Sequence, residues 1–289
     1  MSIINDLKIQ YKTGGFAQQM IFWNVGLFAF PLILLGILSL FQIYFDYVHF
    51  FQLSSDINVV IFKPWTLISY GFFHADFFHL FRNMLMLFYS ANLFKTFFSE
   101  KQLINFYFSS LVFSGLVFIA SGYIFPAYAN HVPLVGASGA IMAVLMATTV
   151  YAPNFSVRLL LIGQVKLIYI TAVFILIDFI QLSSTNSRGH MAHLGGALFG
   201  YLFVNQIRKG KTISLPFYDW YQLVVGFFKP KQKKPFKTVY KNSKQPAQSF
   251  NNNQSINQKK IDDILDKISA SGYDSLTKEE KEFLFNAKP

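Results

Sequence analysis

Ser138 is the residue of this chain best placed by its neighbours to act as a nucleophile. It stands in the string Val135-Gly136-Ala137-Ser138-Gly139-Ala140, and the absence of cysteine removes thiolate nucleophiles, thiolate zinc sites, iron–sulfur clusters and disulfides together. A serine hydroxyl is weak until a neighbouring base takes its proton, and His193 in Ala192-His193-Leu194-Gly195-Gly196 is the candidate base. His79 and Asn83, spaced i, i+4, project from one helix face, and either could donate a hydrogen bond to a developing oxyanion. A serine opening a helix also has unpaired N–H groups and the positive dipole end beside it. Taken singly, each feature has an ordinary explanation. Gly-x-Ser-Gly in an apolar helix more often reports close packing, His79 with Asn83 reads by itself as a buried hydrogen-bonding pair, and His193 reads by itself as an interfacial histidine satisfied by a loop carbonyl. Joint placement decides the matter.

The elements that must place them are membrane spans. The chain has 289 residues, 53% apolar, 18% aromatic and 13% charged, against roughly 45–50% apolar and about 25% charged in soluble domains. This excludes an ordinary soluble enzyme. Apolar runs fall at about 20–45, 77–94, 103–125, 137–151, 165–182 and 189–207, six in all, with Pro31 expected to kink the first. The fourth is too short to cross about 30 Å of hydrocarbon at about 1.5 Å per residue. Irregular chain must complete that crossing, which is tolerated only inside protein or a water-filled cavity. Basic residues Lys8, Lys12, Lys95, Lys101, Arg158, Lys166 and Arg208 fall on one set of loops, so both termini are expected to be cytoplasmic. The chain then enters spans two, four and six from the same outer face, at His79 and Asn83, at Ser138 and at His193. Ionisable groups at that depth are functional by default. Gly196 and Gly200 give the sixth span a small-residue face that would bring it tight against the Ser138 helix. No carboxylate is evident to orient His193, so a dyad is expected. Asp178, in the fifth span, is instead a conceivable partner for Arg82.

The net charge of +11 would suggest nucleic acid if it were spread over a soluble domain. Most of it lies after the spans, including seven lysines from Lys229 to Lys244 without an acid among them, so nucleic acid is not expected. Such a run near a membrane attracts anionic lipid. The expected division is 1–19, a cytoplasmic or interfacial segment; 20–207, a six-helix core; 208–258, a basic juxtamembrane linker; and 259–289, a small helical hairpin. In the hairpin Ile261, Leu265 and Ile268 share a face, Gly272 stops the first helix, and Thr277 with Glu280 caps the second. The fold class expected is an all-α membrane bundle of six spans with a small soluble helical tail.

His74-x4-His79-x3-Asn83, Gly136-x-Ser138-Gly139 and Ala192-His193-x2-Gly195-Gly196 with Gly200, in that order on spans two, four and six, resemble the rhomboid intramembrane serine proteases over about residues 20–207. The resemblance implies Ser138 as nucleophile and His193 as base. It also implies an oxyanion hole of His79, Asn83 and the Ser138 amide, with His74 supporting the water-filled cavity and first loop. Gly136, Gly139, Met142, Gly196 and Gly200 would be supporting residues. It implies cleavage of transmembrane helices near their outer end, a cap over the site at Ser183 to Gly189, lateral access near spans two and five, and no metal or cofactor. A bacterial cytoplasmic membrane is the expected location. Trp65 matches the family's first loop, but Thr66 stands where Arg is common, and Met142 where a Tyr often packs on the catalytic histidine. Two other readings remain. One is a membrane metal or haem protein using His190-x2-His193 with His74 or Asp178; the other is a silent rhomboid-like protein that binds transmembrane helices.

Overall fold

The computed structural model describes residues 3–128, 132–159, 162–183, 186–228 and 252–286. Chain contacts divide it into two units, Met1–Pro230 and Lys231–Pro289. The first unit begins with α1 (Ile3–Thr13) and α2 (Gly15–Ser39), then α3 (Val48–Phe51), strand β1 (Leu53–Ser54), α4 (Ile57–Phe62) and α5 (Thr66–Ser69), which runs into a 3-10 turn, Tyr70–Phe72. The longer helices α6 (Phe77–Lys95) and α7 (Glu100–Ile124) follow, then β2 (Pro133–Leu134) and α8 (Ser138–Tyr151). A hairpin of β3 (Ser156–Leu159) and β4 (Gly163–Lys166) leads to α9 (Leu167–Ile180), α10 (Ser187–Arg208) and α11 (Phe217–Phe228). Among the described residues, α2 and α7 are long and apolar enough to cross a membrane by themselves, whereas α8 and α9 are apolar but have 14 residues each.

Each boundary has a local cause. Ser99 and Gln102 form a reciprocal capping box that opens α7, and the Asp76 side chain accepts the His79 amide at 2.9 Å to open α6. The break between α1 and α2 is made by Gly15, whose φ of 71° suits glycine. α2 therefore begins before residue 20. Phe16, Ala17 and Met20 are buried, and the Phe16 amide donates to Glu100. The helix continues through Pro31 to Ser39. Residues expected as linker also differ, because α11 packs on α7. There the amides of Leu215 and Tyr218 donate to Ser109 Oγ at 2.8 Å and Asn105 Oδ1 at 2.6 Å, and Tyr221 and Val225 are buried. Basic composition on either side hid this amphipathic helix. The seven-lysine run lies outside the described residues.

α8 is the central helix, packed against α6, α7, α9 and α10. Gly139, Ala143 and Ala147 of α8 leave its backbone open where the glycines of α10 approach. A Cβ on Gly196 would collide with the Gly139 carbonyl, and one on Gly200 with the Ala143 carbonyl. A Cβ on Gly195 would sit 2.7 Å from Val117 of α7. Small residues thus allow backbones to touch, which is how apolar helices gain packing energy without a hydrophobic drive between them.

In the second unit α12 (Asn252–Ser271) ends at Gly272, φ 79°, and α13 (Lys278–Asn286) is opened by Thr277 and Glu280, each accepting the other's amide, at 2.8 and 3.3 Å. Ile264 and Leu276 are buried there. Leu265, expected on the inner face with Ile261 and Ile268, is half exposed, and Ile264 takes its place. Lys267 pairs with Glu280 at 2.9 Å.

A side chain at Gly196 cannot be accommodated by rotamer change, because what it meets is backbone. Overpacking of this kind costs about 1–3 kcal/mol, so Gly196→Val should lower the thermal midpoint in detergent by roughly 2–12 °C. Gly26→Ala on α2, where nothing lies within 4 Å of the added carbon, should leave it unchanged or raise it. Equal midpoints for Gly196→Val and the parent protein would refute the packing assignment.

Candidate active site

Ser138 is the first residue of α8, and the chain leading to it is held from three directions. β2 pairs antiparallel with β1, Leu53 opposite Leu134. The Val132 amide donates to Ser55 Oγ at 3.2 Å and the Gly136 amide to the Tyr70 carbonyl at 2.9 Å. Gly136 has φ 119°, and a Cβ there would lie 2.8 Å from His79 Nε2 and 3.7 Å from Ser138 Oγ. The glycine is therefore required both by its backbone and by the imidazole beside it, and His79 and Ser138 share one small space. The residue before the helix, Ala137, supplies no side-chain cap. The first amides of α8 are not consumed by a capping side chain, and they remain available to an anion.

His193 Nε2 is 2.6 Å from Ser138 Oγ, across the α8–α10 contact. Its other nitrogen, Nδ1, is 2.8 Å from Asp178 Oδ1, and His190 Nδ1 is 2.7 Å from the same oxygen. Here the sequence expectation of a dyad without an acid is corrected: a carboxylate stands behind the histidine. Asp178 is 4% exposed, near the C-terminal end of α9, and the two histidines, spaced i, i+3 in the first turns of α10, close on it. Neither is Arg82 its partner; that side chain is exposed on α6. Hydropathy had given the depth of Asp178 but not which helix lay beside it. The usable signal was the residue itself, since a carboxylate inside an apolar helix needs donors.

His74 and Asn83 are buried. The His74 ring meets the His79 ring edge-on at 5.1 Å, and Asn83 donates one amide hydrogen to the His79 carbonyl at 2.9 Å, leaving the second free of that bond. Met142 is buried one turn below Ser138. It packs with Leu145 and Ala197, against Met86, Met146 and Phe174. Gly139 lies against Ser114 of α7, 2.9 Å from where its Cβ would be. First-loop anchoring does not need an arginine at position 66: Thr66 donates to the Lys63 carbonyl at 2.6 Å, Trp65 Nε1 to the Phe50 carbonyl at 3.0 Å and Ser69 to the Phe51 carbonyl at 2.8 Å. His49 is exposed beside Gln52. His131 lies outside the described residues, as do residues 184 and 185 of the expected cap; the rest of that cap is the end of a 3-10 turn, Gln181–Ser183, and the start of α10.

The rhomboid domain family matches residues 62–209, and a family of unknown function (DUF6576) matches residues 247–286. No curated protein matches the chain.

His74, in the turn before α6, provides a test of how dry this corner is. Burial, helped by neighbouring His79 and opposed by Asp76, pushes its imidazole down to about 3. An unfolded histidine takes a proton near 6.5, so the folded state excludes a proton that the unfolded state binds. The stability from a neutral His74 is then complete above about pH 6.5 and lost as the pH falls towards 3. The thermal midpoint of His74→Phe should decline less between pH 7 and pH 4 than that of the parent protein. Parallel curves would mean that His74 is hydrated.

Proposed function

The chain belongs to the rhomboid family, a family of integral membrane proteins that are generally serine intramembrane proteases, and from that premise we propose that it is an active endopeptidase cleaving transmembrane helices of other membrane proteins. The observation that carries this reading is the 2.6 Å Ser138–His193 contact at the uncapped start of α8.

A carboxylate has no hydrogen to give, so the bond between His193 Nδ1 and Asp178 is donated by the imidazole. That fixes the tautomer and turns the Nε2 lone pair towards the Ser138 hydroxyl. As Oγ attacks the scissile carbonyl carbon, its proton passes to Nε2, and the carbonyl oxygen becomes an oxyanion. The α8 amides, His79 and the second Asn83 N–H are the donors we assign to it. The carbon–nitrogen bond then breaks and His193 returns the proton to the leaving amine. Water, deprotonated in turn by His193, hydrolyses the ester on Ser138. No step calls for a metal or a cofactor. Gly136 makes room for His79, Gly139, Gly196 and Gly200 let α10 reach α8, and His74 and Met142 pack the surroundings.

In this reading α2, α6, α7, α8, α9 and α10 are six spans, and their exposed apolar side chains, such as Phe30 and Ile33, Phe78 and Phe81, and Val173 and Leu176, face lipid. α8 has 14 residues and so spans about 21 Å. The chain before it, in which Leu134, Gly136 and Ala137 are buried, completes the crossing. Both termini would be cytoplasmic, in a bacterial cytoplasmic membrane, with the basic run near anionic lipid and substrate reaching Ser138 from the side near α6 and α9.

Purified protein in detergent should cleave a single-span substrate, with EDTA without effect. Ser138→Ala and His193→Ala should each lower kcat at least about a thousandfold; undiminished cleavage by both would end the proposal. His79→Ala and Asn83→Ala should lower kcat by about 10- to 1,000-fold with little change in KM, because those donors act in the transition state. Asp178→Asn keeps the shape but stabilises the wrong tautomer, and kcat should fall by about 100- to 10,000-fold. A kcat within twofold of the parent would return the site to a dyad.

A further inference from the structure

The relay from Ser138 through His193 to Asp178 uses one histidine, yet two are turned towards the carboxylate. His190 Nδ1 and His193 Nδ1 approach a single oxygen, Oδ1, at 2.7 and 2.8 Å, while the buried Oδ2 has no partner among the described residues. One oxygen is thus doubly served and the other unused, in a side chain that is 4% exposed. Catalysis of the kind proposed gives no reason for His190. We propose that Asp178, His190 and His193 bind a transition-metal ion of the zinc type, and that its binding switches the protease off; the inhibitory half rests on the reading above, and the binding half does not.

The ligand chemistry fits. Two imidazoles and a carboxylate suit Zn2+ and disfavour Mg2+ and Ca2+, which prefer all-oxygen shells. One donor atom from each of the three residues lies within 4.8 Å of the others. In a tetrahedral zinc site with bonds of about 2.0–2.1 Å, donors stand roughly 3.3 Å apart, so the cluster must contract by about 1.5 Å at its widest. Small ring rotations supply that, because His190 and His193 already share a face of α10. Their side chains are 13% and 23% exposed, which leaves a path for the ion and a place for water as fourth ligand.

Occupancy would remove the base without touching Ser138. An ion on His193 Nδ1 takes the position of its hydrogen. The neutral ring then carries its single hydrogen on Nε2, where that hydrogen points at Ser138 Oγ. The imidazole donates to the serine instead of accepting from it, and no lone pair remains to take the serine proton. Asp178, held by the ion, no longer selects the productive tautomer. The proton moves from Nδ1 to Nε2, so charge and atoms balance with no other reactant.

The test uses the full chain in detergent, carrying a tag without histidines. Calorimetric titration of Ser138→Ala with ZnCl2 should show one ion per chain, and adding His190→Gln, which can still donate to Asp178, should weaken binding at least tenfold. In cleavage assays Zn2+ should inhibit the parent protein, with EDTA restoring the rate. The midpoint of inhibition should rise tenfold or more in His190→Gln, each protein being normalised to its own metal-free rate. His190→Phe, which keeps the bulk but no donor, should behave in the same way. Absence of saturable one-to-one binding to Ser138→Ala, or equal zinc sensitivity of the parent and both His190 variants, would overturn the proposal. Should the parent protein cleave nothing, titration of Ser138→Ala with and without His190→Gln still decides the metal site, and only the protease reading falls.

Discussion

A histidine on one helix can hydrogen-bond a serine on another only when the two backbones nearly touch, and this protein is built around that approach. The Gly139 carbonyl faces Gly196, and the Ala143 carbonyl faces Gly200, so there is no room for a single methyl group between α8 and α10. In a core of Phe and Leu the helix axes would stand 8–10 Å apart, and His193 would fall short of Ser138 Oγ. Closeness gained this way has a structural price, since α8 must keep small residues where α10 crosses it and take its bulk from its other faces and from the helices around it. α7 supplies Phe106, Tyr107, Phe108 and Phe118, and α10 itself supplies Phe199 and Phe203 on its other faces.

The remaining constraint is angular. Ser138 opens α8, so its direction depends on the irregular chain before it, and that chain gains rigidity from the long segment between α2 and α6. β1, Ser55 and Tyr70 each hold a backbone group of residues 132–136. Trp65, Thr66 and Ser69 fasten the same segment to itself. The aromatic, half-polar composition of that segment follows from this duty. It supplies polar groups to a neighbouring loop while packing Phe51 and Phe73 in a stacked pair 4.7 Å apart.

Much of this was legible in the sequence because depth in a membrane is a one-dimensional property. Hydropathy gave runs that match α6 to α10 to within about three residues, and charge asymmetry set the directions expected of them, which put Ser138, His193, His79 and Asn83 at a common expected level. Lateral neighbourhood is not one-dimensional. Nothing in the spacing of Asp178 to His193 states that α9 lies against the same face of α10, so the sequence alone assigns the carboxylate no role at the site and allows a pairing with Arg82 that the structure does not contain. α11 was missed for a different reason. Its apolar stripe is short and flanked by lysines, and its burial depends on Asn105 and Ser109 of α7, which accept its amides from more than 100 residues away. In the tail, a helical face drawn through Ile261, Leu265 and Ile268 differs by one position from the face through Ile264, and only the packing of α12 on the chain that follows it selects between them.

Asp178 joins the two constraints. A carboxylate among apolar helices is expensive, and hydrogen bonds from two imidazole N–H groups to one of its oxygens compensate it only in part. The balance changes at the moment of reaction. In the proposed reaction His193, on accepting the serine proton, would become a cation 2.8 Å from the carboxylate, and such an attraction is strong where the dielectric is low. In that reaction the same burial that destabilises the resting protein would stabilise the transition state in preference to the ground state, which is the only kind of interaction that accelerates a chemical step. A membrane interior, costly for any charge, is for that reason a favourable place to keep this one.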